Sequence, residues 1–272
     1  MTNLDTERGK RHDVTGLGLR LREWVTQHAD EIPDDLYFAS DLPEPGQPKF
    51  PSGIPELDTH TQLEGLTALI GGPKLGKSFA ALNASVAATR RGWQVIYLNL
   101  ELPRGEMMRR LRACAEYTTE IPPYMQDERW RGWTMYCYRN PLLFAQQVAA
   151  QIQVQSTRVL IVMDSLQRLL AMCHGDYFVE MQNWIEALRH ASLVSGGRIA
   201  SYVVSEQAAH GYDKGDKLRY AADVCLKVEP VCEGVVTFEV LTSRYGPRVK
   251  TSAHKLDWER ARFLPAEAEL GE

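Results

Sequence analysis

The stretch Leu66 to Leu82, LTALIGGPKLGKSFAAL, decides the fold. It reads as an apolar strand, a glycine-rich turn and a helix, in that order. Inside it, Gly71-Gly72-Pro73-Lys74-Leu75-Gly76-Lys77-Ser78 completes the pattern G-x-x-x-x-G-K-[ST] of a phosphate-binding loop. Glycines let the backbone wrap a polyanion and turn successive N–H groups inward. Lys77 supplies a mobile positive charge for the β- and γ-phosphates of a nucleotide. The Ser78 hydroxyl is a hard oxygen ligand suited to Mg²⁺. The helix that opens there, with Phe79 as its next residue, adds the positive end of its dipole. An ordinary glycine-rich strand–helix turn is the competing explanation. The complete motif, with strand before it and helix after it, argues against that.

Composition bounds the rest. A chain of 272 residues fits one large α/β domain with a small appendage. Lys and Arg number 31 against 35 Asp and Glu, a net charge of −4, so any nucleic-acid contact has to be local. The five cysteines, Cys114, Cys137, Cys173, Cys225 and Cys232, are scattered and show no C-x-x-C spacing. They read as reduced thiols of a cytoplasmic protein, and Cys173-His174 has no second ligand pair to make a zinc site. The N-terminus is polar, with no apolar signal segment, and no run approaches a membrane span.

Residues 1–49 read as an extension: a polar start, an amphipathic helix over Leu17–His28, and a proline-rich linker over Glu31–Ser52. The helix either packs on its own domain or docks on a neighbouring subunit. Residues 50–260 read as the core and 261–272 as a tail. Apolar runs predict strands at Gln94–Leu100, Thr134–Tyr138, Arg158–Met163 and Arg198–Ser205, separated by helices starting at Pro103, Pro141 and Phe178. Ala208–Tyr220 reads as a polar loop. Asp223–Glu229, Gly234–Thr242 and Val249–Lys255 read as a terminal meander or hairpin. Strands alternating with helices predict a mostly parallel sheet with its ligand at the carboxyl ends of the strands.

Several polar residues fall at such ends. Asp164 closes an apolar strand where a carboxylate would hold Mg²⁺; a helix cap is the plainer alternative. Glu101 closes another strand and could deprotonate an attacking water, or it could simply favour a helix N-terminus. Gln207 lies past a third strand end, where an amide could sense the γ-phosphate, with Glu206 as its immediate rival. Arg244 sits in a turn between late strands, from which it could reach a neighbouring subunit's phosphate or merely be solvated.

The ordered series resembles a known superfamily. Phe50–Asp58, FPSGIPELD, resembles the F-x-S-G-I-P-x-L-D lead-in of RadA- and KaiC-type ATPases. Leu100-Glu101-Leu102-Pro103 resembles the L-E-M-P segment of DnaB-type helicases, and Leu160–Leu169 their Walker B strand with its L-Q continuation. Tyr220–Val224 is similar to their A-D-V strand, and Ser243-Arg244-Tyr245-Gly246-Pro247 to the K-x-R-x-G-P turn. The resemblance covers residues 50–255. It implies an α/β RecA-like core with a late antiparallel hairpin, ATP and Mg²⁺ as ligands, and a homo-oligomeric ring or filament, expected as a hexamer. It assigns Lys77 and Ser78 to phosphate and metal, Asp164 to the metal, Glu101 as base, Gln207 as sensor and Arg244 as a residue acting in trans. One departure is Thr242, where those proteins carry a lysine; one trans cation is missing, so hydrolysis is expected either to be slow or to be completed by Lys250 or Arg248. A second is a weakly basic pair of DNA loops. The first, near Met172–Phe178, has no Lys or Arg. The second carries Lys214, Lys217 and Arg219, with Tyr212 and Tyr220 available for stacking.

Three functions follow from this pattern. The first is an ATP-driven factor of DNA metabolism that binds single-stranded DNA through Lys214, Lys217 and Arg219. The alternative is a KaiC-like regulatory or scaffold ATPase that assembles on ATP and binds protein partners. The third is a monomeric phosphate-loop enzyme such as a small-molecule kinase.

Overall fold

The structure is a computed structural model, and it describes residues 49–61, 63–115, 130–133, 158–171, 176–206, 214–244 and 246–266. The chain divides into two units, Met1–Pro45 and Gly46–Glu272. The helix expected over Leu17–His28, the proline-rich linker before Lys49 and the helix expected from Pro141 lie outside the described residues.

The second unit is built on one sheet. Its strands are β3 (Leu66–Gly71), β4 (Gln94–Asn99), β5 (Trp130–Trp133), β6 (Val159–Asp164), β7 (Ile199–Glu206), β8 (Val224–Cys232), β9 (Val235–Ser243), β10 (His254–Asp257) and β11 (Arg262–Pro265). They lie in the order β11-β10-β9-β8-β3-β7-β6-β4-β5. From β5 to β8 every pairing is parallel, and from β8 to β11 every pairing is antiparallel. A second small sheet pairs β1 (Lys49–Phe50) with β2 (Leu63–Glu64) around the helix α1 (Pro55–His60). The expected α/β architecture with late antiparallel strands is therefore present.

The central strands are apolar on both faces because both faces are covered. Val95, Tyr97, Leu160, Val162, Ala200 and Tyr202 point to one core, shared with α2 (Lys77–Arg90) and α3 (Arg104–Cys114). Ile96, Leu98, Ile161 and Met163 point to the other, shared with α4 (Leu166–Ala171) and α5 (Tyr177–Val194). Helix α2 runs deep because it is alanine-rich: Ala80, Ala81, Ala84 and Ala88 are all buried. Its buried hydroxyls donate back to the helix, Ser85 to the Ala81 carbonyl at 2.7 Å and Thr89 to the Ser85 carbonyl at 2.9 Å. The lead-in packs on the same helix. Gly53 (φ 75°) allows this, since a Cβ there would lie 2.5 Å from the Asn83 carbonyl oxygen.

The structure departs from the sequence reading in three places, and one further expectation lies outside the described residues. Residues 214–220, expected within the polar loop Ala208–Tyr220, belong to α6 (Lys214–Ala221). Its buried Leu218 anchors it to the core with Ala221 packed alongside, and so few apolar positions in an eight-residue, mostly polar segment are too sparse to show as periodicity. The strand expected at Thr134–Tyr138 lies outside the described residues, and the edge position beside β4 is taken by β5. Val249–Lys255 contributes an isolated bridge between Glu239 and Lys250 before β10 begins. The sheet also continues beyond residue 260: β11 pairs with β10 inside the segment expected as tail.

Candidate nucleotide site

The phosphate loop joins the end of β3 to the start of α2. Lys74 (φ 60°) and Gly76 (φ 77°) take left-handed conformations, which curl the backbone between Gly72 and Lys77. Gly76 has a second constraint. A Cβ there would stand 2.5 Å from Leu256 and 3.2 Å from Phe263, so the β10–β11 hairpin presses directly on the loop. The Lys77 ammonium donates to the Gly72 carbonyl at 2.6 Å across the loop. Burial lowers its pKa, opposed by Glu206, Glu101 and Asp164 around it. Leu75 packs on the core, and the Phe79 side chain is buried. What Phe79 can offer a phosphate is its backbone N–H; its ring is part of the packing.

Three acids face the loop from neighbouring strand ends. In register, Asp164 pairs with Asn99 and Glu206 pairs with Gly71. Asp164 is only 1% exposed. Its Oδ2 accepts from the Tyr97 hydroxyl at 2.8 Å, while Oδ1 has no hydrogen-bond partner. Burial pushes its pKa up to about 6, Glu101 adds to the rise, and Tyr97, Ser78 and Lys77 hold it down. Glu101 sits just beyond β4 in a turn tied by Asn99, which donates to the Leu102 carbonyl and accepts from the Leu102 N–H. The Ser165 hydroxyl donates to Glu101 Oε1 at 2.7 Å. The next turn is braced too: Gln167 donates to Ser205 Oγ at 2.6 Å and to the Glu206 carbonyl at 3.2 Å.

These groups enclose a cavity of about 200 Å³ lined by Lys77, Ser78, Glu101, Asp164, Glu206 and Trp258, among others. The donor set suits Mg²⁺. A buried carboxylate oxygen without a partner lies beside a serine hydroxyl, and both are hard oxygen ligands.

The remaining expected residues lie elsewhere. Gln207 is outside the described residues, and Glu206, its rival, lines the cavity. Arg244 is at the opposite edge of the sheet. Thr67 near the start of β3 pairs with Val224, and β9 runs back so that Ser243 also pairs with Val224. The Arg244 backbone N–H donates to the Asp223 carbonyl at 3.0 Å, and its Nε stands 3.3 Å from Asp223 Oδ1. The six residues of β3 therefore separate Arg244 from the phosphate loop, about 20 Å of strand. Arg244 does not reach the cavity of its own chain. Lys214, Lys217 and Arg219 lie on α6; the Arg219 guanidinium stands 6.0 Å from the ring of Tyr220, which is 74% exposed. Thr242 is partly buried, and Lys250 is paired with Glu229 at 2.9 Å.

Tyr97, Ser165, Arg110 and Trp258 belong to the site, and the sequence reading does not single them out. Tyr97 has the clearest signal in retrospect. It is the polar-tipped residue among the four buried positions of β4, Val95 to Leu98, which are otherwise apolar.

Comparison with known proteins agrees with this geometry. The model of a family described as an AAA domain matches residues 57–196, just over half of the 272-residue chain. A solved structure of an ATPase domain superposes with a TM-score of 0.63 at 13% identity, covering 94% of this chain and 99% of the other. One of a DnaB-like replicative helicase studied with primase superposes with a TM-score of 0.66 at 14% identity, covering 93% of this chain and 73% of the other. Comparison with curated proteins gives no match. At these identities the structural likeness is one of fold. The chain belongs to the AAA-domain family, and its core is a P-loop ATPase domain with the RecA-like fold seen in DnaB-like helicases.

Proposed function

We propose that the chain is the subunit of an oligomeric, Mg²⁺-dependent ATPase that acts on single-stranded DNA. The observation that carries hydrolysis, rather than binding alone, is Glu101. Its carboxylate lines the phosphate cavity and is fixed by Ser165 at 2.7 Å, the placement a general base needs. Lys77 leaves the Gly72 carbonyl to meet the β- and γ-phosphates. Water attacks the γ-phosphorus, Glu101 takes the proton, and the bond to the ADP oxygen breaks. Ser78 and Asp164 would hold Mg²⁺, which offsets the charge on the phosphate oxygens.

Arg244 completes the site from a neighbouring subunit. It lies at the far edge of its own sheet, half exposed and held by Asp223, where a head-to-tail contact would present it to the next phosphate loop. Gln207 senses the γ-phosphate beside Glu206. Lys214, Lys217 and Arg219 contact the strand of DNA, with Tyr220 as a stacking surface. A structural neighbour is a DnaB-like replicative helicase, and that likeness of fold supports a role in DNA replication; the single-stranded DNA substrate and the hexameric ring are part of the proposal.

The test is steady-state ATP hydrolysis with and without single-stranded DNA, with Lys77→Ala as control. A Lys77-dependent rate that rises several-fold with DNA, and loses that rise in a Lys214/Lys217/Arg219 triple alanine variant, supports the reading. A Lys77-dependent rate indifferent to DNA replaces it with the scaffold ATPase.

A further inference from the structure

The cavity has an aromatic rim that phosphate chemistry does not use. Trp258 lies in the turn between β10 and β11, and that turn is closed by the Arg260 N–H donating to Asp257 Oδ1 at 2.9 Å. The hairpin cannot drift from the loop. Leu256 and Phe263 fill the space above Gly76, and Asn83 of α2 donates to the Ala261 carbonyl at 2.9 Å. Trp258 stands edge-on to Phe79, with ring centroids 5.0 Å apart and planes at 67°. Phe79 is buried, yet Trp258 is 51% exposed. The indole is thus seated on one side and open on the other, at the border of a cavity whose floor is Lys77 and Ser78.

A half-exposed indole clamped at a phosphate site is a stacking surface. Once phosphates occupy Lys77 and Ser78, the sugar and base must leave past the first turn of α2. There two aromatic residues, Phe79 and Trp258, join the lining beside Arg110, whose guanidinium lies over the Phe79 ring. Phe79 is already covered, so the free π-face is that of Trp258. Resting on the nucleotide-site reading above, we propose that Trp258 is the platform on which the nucleobase of the bound triphosphate stacks, so that the late hairpin forms the base end of the site. Stacking of this kind takes any base, because each has a π-face. Among the described lining residues on this rim, the side chains of Arg110 and Trp258 offer donors only.

The test compares a ligand that has a base with one that has none. Calorimetric binding of ATP and of inorganic tripolyphosphate, each with Mg²⁺, is measured on the full chain for the parent, Trp258→Leu, Trp258→Phe and Lys77→Ala. Leucine keeps apolar contact with Phe79 but offers no ring. Trp258→Leu is expected to weaken ATP about tenfold or more while leaving tripolyphosphate within about twofold, and Trp258→Phe to keep most of the ATP affinity. The platform is overturned if Trp258→Leu binds ATP like the parent, or if it loses ATP and tripolyphosphate equally. If the parent binds neither ligand, or Lys77→Ala binds both unchanged, the nucleotide site itself falls and the platform with it.

Discussion

Asp164 and Asp223 stand at opposite ends of the same sheet and are treated in opposite ways. Both are buried carboxylates next to a strand of the parallel core. Asp223 is fully employed: Oδ2 accepts from the Leu66 N–H at 2.8 Å, Oδ1 faces the Arg244 guanidinium, and its carbonyl takes the Arg244 N–H. Asp164 takes the Tyr97 hydroxyl on Oδ2 and has Ser78 and Lys77 nearby, but its Oδ1 makes no hydrogen bond, and a second carboxylate, Glu101, is close enough to add to the rise of its pKa. A fold that satisfies one acid so completely has the means to satisfy the other. Leaving a buried charge under-paired costs stability, and it is tolerated where a ligand completes the pairing. The uncompensated edge is the nucleotide edge, and the compensated one presents Arg244.

Five substitutions would break or sharpen that contrast. Arg244→Ala should leave nucleotide affinity unchanged and cut ATP hydrolysis by about a thousandfold, since an arginine acting on the transferring phosphoryl group works in the transition state. Titration with a fluorescent nucleotide alongside a phosphate-release assay separates the two effects. Glu101→Gln should keep ATP binding and lower turnover by about a hundredfold, because the amide cannot take the proton.

The two aspartates themselves should move stability in opposite directions. Asp223→Ala strands the buried Leu66 N–H and should destabilise by about 2 kcal/mol. Asp164→Asn removes a disfavoured charge and should stabilise the nucleotide-free protein at pH 7 by about 2 kcal/mol. The pH dependence follows from the direction of the shift. The folded Asp164 holds its proton up to about pH 6, against 3.8 ordinarily, so the folded state binds more protons in that interval. Parent stability should therefore fall as pH rises from 4 to 7, and that slope should be missing in Asp164→Asn. Urea unfolding at several pH values checks both. Equal stability of the two proteins at pH 7 would mean that Asp164 carries no burial penalty. The smallest effect belongs to Ser165→Ala, which frees Glu101 and should slow turnover about fivefold through one lost hydrogen bond.

The sequence shows best what is local. The phosphate loop is one continuous motif, and Glu101 and Asp164 each close an apolar run, so all three can be found without knowing the sheet order. The groups that tune them cannot. Tyr97 reaches Asp164 across 67 residues and Ser165 reaches Glu101 across 64, contacts that exist only once β4 and β6 are neighbours. Trp258 lies close to the point where the sequence reading ends the core, on a hairpin whose second strand falls in the expected tail. Helix α6 is hidden for a different reason: its sequence KGDKLRYA is mostly polar, and Leu218 and Ala221, which meet the core, make no periodic pattern. Arg244 is legible as a displayed turn residue, but its distance from its own phosphate loop follows only from the register of β3, β8 and β9.

The central claim is that two edges of one sheet, on different subunits, make one catalytic site. The most direct measurement mixes Lys77→Ala and Arg244→Ala subunits, each inactive alone, in equal amounts and follows ATP hydrolysis. In a randomly mixed head-to-tail ring, roughly a quarter of the contacts pair an intact phosphate loop with an intact arginine. The account predicts recovery toward that fraction of the parent rate. No recovery, with exchange of subunits demonstrated, would contradict it and confine Arg244 to a structural role on its own chain.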